Sequence, residues 1–118
     1  MASGSHNGRD TRWGERVTVR NPVTICWEGR DRPGVIHHLS VTGCFVETAF
    51  PFPSGITLRL SFLLEPDVSR IDVDARVVMR NLGGIGLRFL YQDEDTAVRL
   101  RRWVDGHLPP RVALRYTA

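Results

Sequence analysis

The stretch Val35-Ile36-His37-His38-Leu39-Ser40-Val41-Thr42-Gly43-Cys44-Phe45-Val46 decides how the chain is read. Val35, His37 and Leu39 alternate with Ile36 and His38, which is the period of an extended strand. Ser40, Thr42 and Gly43 then supply turn chemistry, and apolar residues resume at Phe45 and Val46. The reading is strand, tight turn, strand. A serine at a strand end turns its hydroxyl onto nearby backbone or onto a ligand. A glycine three residues later permits positive φ or the close approach of another group. In this reading His37 faces away from His38 and is structural.

Working outward, the same period recurs on both sides. Val17, Val19, Val23, Ile25 and Trp27 fall on odd positions, with Pro22 expected at an edge or bend, and Glu28 to Gly34 reads as a hairpin connection. Downstream of the central stretch, which should end near Ala49, Pro51 to Gly55 makes a break. Ile56, Leu58, Leu60, Phe62 and Leu64 then mark one strand, followed by a polar loop from Glu65 to Ser69. Ile71, Val73, Ala75, Val77 and Met79 mark the next, with Asp72, Asp74 and Arg76 between them. A glycine-containing turn at Asn81 to Gly84 leads to a last strand from Ile85 to Leu90. Strands joined by turns, with no helical crossover long enough for a parallel unit, predict a mainly β protein, an antiparallel barrel or sandwich.

After the strands the period changes. Asp93, Glu94 and Asp95 suit the positive end of a helix dipole, and Ala97, Leu100, Trp103, Val104 and Leu108 recur at three- and four-residue spacing. One amphipathic helix docked on the sheet and ended by Pro109 and Pro110 is expected. Residues 1–11 form an N-terminal arm with almost no apolar content, expected to move in the absence of a ligand. Residues 109–118 form a tail in which Val112, Leu114 and Tyr116 alternate.

Length and composition bound the function. A chain of 118 residues with 42% apolar and 25% charged residues suits one soluble domain. It has no apolar run approaching the ~20 residues of a membrane span and no apolar centre of a signal peptide, so the expected compartment is the cytoplasm. Every one of the 16 basic residues is arginine. Arginine suits planar recognition of phosphate or a guanine edge, but no dense basic patch with exposed aromatics points to DNA or RNA. Cys26 and Cys44 lack metal-ligand spacing and read as reduced thiols, so no metal site is expected. His37, His38, Ser40 and Cys44 cluster in sequence. Without a nucleophile elbow or paired carboxylates, they do not make an enzyme.

Upstream of the first strand, Arg12 and Arg16 stand four positions apart in Arg12-Trp13-Gly14-Glu15-Arg16. Together with His38-Leu39-Ser40-Val41-Thr42-Gly43, this resembles the PilZ domain, whose motifs are R-x-x-x-R before the first strand and [D/N]-x-S-x-x-G at a strand end. The resemblance covers roughly residues 9 to 108, with the domain proper at 12–108. It implies a six-stranded antiparallel β-barrel with one C-terminal helix, and a receptor or adaptor for bacterial cyclic di-GMP with no catalysis and no cofactor. The implied ligand contacts are Arg12, Arg16, His38, Ser40 and Gly43, with Arg9 as an additional one. Signalling would pass from the arginine arm to an unidentified effector protein, without membrane insertion.

His38 departs from the pattern. A neutral imidazole offers one acceptor nitrogen where a carboxylate offers two oxygens, so a guanine edge is held less well. The loss of a bidentate base contact is worth about 1–3 kcal/mol. The alternative is a PilZ-like domain that binds no nucleotide and acts through protein contacts.

Overall fold

The computed structural model describes residues 15–65 and 69–108, with the backbone alone at Ser69. The arm and tail at 1–11 and 109–118, with Arg9 and Arg12, lie outside the described residues. So does most of the polar loop.

Among the described residues six strands, β1 (Val17–Trp27), β2 (Arg30–Leu39), β3 (Gly43–Glu47), β4 (Thr57–Leu64), β5 (Ser69–Asn81) and β6 (Gly84–Leu90), precede one helix, α1 (Glu94–His107). All strand pairs are antiparallel, and they close in the order β1-β2-β3-β6-β5-β4. The alternating apolar residues fill the barrel. Ile25, Ile36, Leu39, Val46, Leu60, Ile71, Ala75 and Val77 have no exposed surface. Each large side chain buried in this way contributes roughly 1.5–3 kcal/mol toward offsetting the entropy of ordering the chain.

Several local expectations are corrected, most of them by a bulge or a tighter turn. Pro33 and Gly34 are strand residues paired with Thr24 and Val23. The β1–β2 connection is only Glu28 and Gly29, both at positive φ (54° and 74°), as a right-twisted hairpin requires. A bulge between Ile36 and His38 breaks the period of β2, so Ile36 and Leu39 both enter the core. A second bulge, between Val77 and Met79, turns both Val78 and Met79 outward, at 53% and 47% exposure, where strict alternation buries Met79. Strand β3 ends at Glu47, short of Ala49.

The loop after β3 does more than break the chain. Phe52 is fully buried and packs against Phe50 (centroids 4.6 Å apart) and Trp27 (5.8 Å), while the Arg32 guanidinium lies 3.7 Å from the Phe50 centroid. This aromatic plug closes the end of the barrel that carries the β1–β2 hairpin.

Helix α1 serves the other end. Asp93 caps it by accepting from the Thr96 amide at 2.7 Å, and Thr96, Leu100, Val104 and Leu108 are buried. Trp103 is half-buried rather than central to the stripe. Its indole N–H donates to the Glu65 carbonyl at 2.8 Å, and Arg99 donates to the Arg70 carbonyl at 3.0 Å, fixing the helix to the β4–β5 corner.

Closure is narrow where β1 meets β4. Only Thr24, Ile25 and Cys26 pair with Ser61, Leu60 and Arg59. Pro22, which has no N–H to give, sits where β1 has left β4, and the Asn21 side chain bridges the gap by donating to the Leu63 carbonyl at 3.0 Å.

Candidate functional site

The turn between β2 and β3 is built from its own polar atoms. Ser40 accepts at Oγ from the amides of Thr42 and Gly43, each at 3.2 Å, and its own amide donates to the Gly43 carbonyl at 2.9 Å. Its hydroxyl also lies 3.2 Å from the Gly43 carbonyl and 3.1 Å from the Thr42 hydroxyl. With 3% exposure and its hydroxyl engaged in this way, Ser40 shapes the turn. Of the two fates open to a strand-end serine, the structure shows the backbone one.

Gly43 is required for space rather than for conformation. A Cβ there would lie 2.0 Å from the Leu87 carbonyl oxygen, so β3 and β6 approach as closely as they do only with glycine. The turn is further tied to β6 and to the residue after it: the Phe89 amide donates to the Thr42 carbonyl at 2.9 Å, and the Tyr91 hydroxyl donates to the Val41 carbonyl. Burial raises the Tyr91 hydroxyl pKa well above its ordinary value, which keeps that donor protonated. The turn is therefore held by its own atoms and by the neighbouring strand.

Arg16, immediately before β1, reaches the same place. Together with Ser40, Thr42, Gly43, Phe45, Met79 and Arg88 it lines a cavity of about 290 Å³ on the outer face of the barrel. One wall is cationic, from Arg16 and Arg88. Another is apolar, from Phe45 and the bulge residues Val78 and Met79. His38 does not line this cavity. It is exposed on β2, and the ladder places it in a row running Thr18, His38, Phe45, Gly86, Met79, so that it lies behind Phe45, on the side of that ring away from Gly86 and Met79. The structure thus brings together Arg16, Ser40 and Gly43, and sets His38 at the margin.

The chain from Arg16 to Leu108 thus forms a closed six-stranded barrel and one helix, with an arginine and a serine–glycine turn meeting at one cavity. The PilZ domain family model matches residues 10–106. The chain belongs to the PilZ domain family. Solved structures share the fold at low sequence identity. The PilZ domain of CeSA from a cellulose-synthesizing bacterium is 19% identical with a TM-score of 0.66, over 78% of this chain and 96% of that one. The Bacillus subtilis inhibitor of motility MotI/DgrA is 20% identical with a TM-score of 0.66, over 77% of this chain and 47% of that one. The PilZ domain of YcgR from Escherichia coli, solved with c-di-GMP, is 14% identical with a TM-score of 0.63, over 79% of this chain and 88% of that one. No curated protein matches the chain.

Within this PilZ barrel the histidine, serine and cysteine cluster is divided. His37 Nε2 is 2.5 Å from Glu47, and the hydrogen bond holds the Glu47 carboxyl below its ordinary range. Cys44 is buried and its thiol pKa is pushed up by burial. Ser40 is engaged with its turn. Among the described residues no group of three or more His, Cys, Asp or Glu side chains could hold a metal, and no helix is long and apolar enough to cross a membrane. Sequence reading missed Arg88, Phe45 and Met79 as cavity residues. Arg88 carried a signal, as an outward position between Leu87 and Phe89 on the last strand. Met79 carried none, because the bulge that exposes it is not visible in the period.

Proposed function

We propose that this PilZ domain is a cyclic di-GMP receptor, an adaptor without catalysis that works in the cytoplasm. The observation that carries the reading is the meeting of Arg16 with the Ser40 to Gly43 turn at one cavity. A guanidinium there meets a phosphate or a guanine edge, and Gly43, by letting β3 approach β6, sets the turn beside Arg88 at the same cavity. Phe45 and Met79 offer an apolar surface for a base. Ser40 acts through the turn it shapes, and His38 contacts only ligand atoms that extend past Phe45.

In this reading Arg12, with Arg9 beside it, joins Arg16 on the ligand. The arm then lies differently in the bound and free states, and an effector protein that reads the difference receives the signal. Titration calorimetry with cyclic di-GMP near neutral pH should show saturable binding in the low-micromolar range or weaker. Silence up to about millimolar ligand, a binding free energy of only about 4 kcal/mol, would refute it.

A further inference from the structure

Arg76 on β5 and Arg88 on β6 are direct cross-strand partners, both exposed and both on the outer face of the barrel. Like charges placed directly opposite destabilise a sheet. The nearest acid on the same face of β5 is Asp74, and its oxygens are taken, one by Arg59 at 2.8 Å and the other by Gln92 at 3.0 Å. Among the described residues no carboxylate pairs with Arg76 or Arg88. Arg88 also borders the cavity and is the ladder partner of Gly43. The sheet therefore holds two opposed guanidinium groups at the edge of the candidate site, uncompensated by an acid.

We propose that Arg76 and Arg88 form an anion clasp that extends the cavity along β5 and β6 and takes a phosphate of the bound ligand. The proposal rests on the reading of the cavity as a nucleotide site. A phosphate lying between the two guanidiniums converts their mutual repulsion into two charge-assisted contacts, so the ligand gains what the free sheet lacks. This has a signature that a merely structural arginine lacks. Removing either charge relieves the free protein while it weakens the complex.

The test uses the whole chain with Arg76→Gln, Arg88→Gln and the double variant, and Arg102→Gln on the exposed face of α1 as control. If the native chain binds cyclic di-GMP, each single variant should bind about 3–10-fold more weakly and with less dependence on salt. Its melting temperature without ligand should be equal or higher. Affinity within about twofold of native for both variants, or a lower melting temperature with affinity unchanged, would overturn the clasp. If the native chain does not bind cyclic di-GMP, the nucleotide reading fails and inorganic pyrophosphate tests the clasp by itself. Millimolar pyrophosphate should then raise the melting temperature of the native chain, but not of the double variant, relative to sodium chloride at equal ionic strength. An equal response in both would overturn it.

Discussion

Gly43→Ala should be among the most damaging single-methyl changes in this chain. The added Cβ would lie 2.0 Å from the Leu87 carbonyl oxygen, against the 3.0 Å that Cβ atoms essentially never undercut, so β3 and β6 must part by about 1 Å. That movement strains the Phe89 to Thr42 and Ser40 to Gly43 backbone bonds, both 2.9 Å. Overpacking at a rigid site costs roughly 1–3 kcal/mol, and each weakened backbone bond adds about 1 kcal/mol, giving a loss near 3–5 kcal/mol. Gly29→Ala is the internal comparison. Nothing lies within 4 Å of a Cβ there, and only its φ of 74° opposes a side chain, which costs about 1–2 kcal/mol. Urea unfolding followed by fluorescence should place the Gly43 variant well below the Gly29 variant, with m unchanged. Equal midpoints, or a Gly43 variant as stable as native, would refute the claim that the glycine exists for the β3–β6 approach.

Three further outcomes are expected. Tyr91→Phe should cost about 1–3 kcal/mol in urea unfolding, since it leaves the buried Val41 carbonyl without its donor; a change under ~0.5 kcal/mol would show that water replaces the hydroxyl. The Asp93 carboxyl is held below its usual 3.8 chiefly by the Thr96 backbone amide, so its cap contribution is full above about pH 4 and fades as pH falls through the depressed value. Asp93→Asn should accordingly narrow its stability gap to native on acidification, and a gap constant from pH 7 to 2 would contradict that assignment. His38→Asp should strengthen cyclic di-GMP binding several-fold in calorimetry if a ligand edge reaches past Phe45, and unchanged affinity would place His38 outside the site.

What could be read from sequence follows the physics of period and turn. The barrel was legible because β4, β5 and β6 keep their alternation over most of their length, and the helix because Leu100 and Val104 repeat at helical spacing behind an acidic cap. The facing of Met79 and the true limits of the first hairpin were not. A bulge changes which face a residue takes without changing composition, and Pro33 and Gly34 carry turn signals although they lie in a strand. Phe52 was hidden by its flanking prolines, which announce a loop but not that the loop turns inward to plug the barrel. At the site, Arg16, Ser40 and Gly43 were legible as a pattern. That Ser40 works on its own backbone required the distances, and Arg88, legible as an outward position, was tied to the site only by the register that sets it beside Gly43.

The most direct test of the central claim, that Arg16 and the Ser40 to Gly43 turn form one ligand site, is a titration of labelled protein with cyclic di-GMP followed by amide chemical shifts. Shifts should concentrate at Arg16, at Ser40 to Phe45 and at Gly86 to Arg88, saturating together with one affinity. Saturable shifts confined to the β1–β4 seam around Asn21 and Leu63, or no shifts at millimolar ligand, would contradict it.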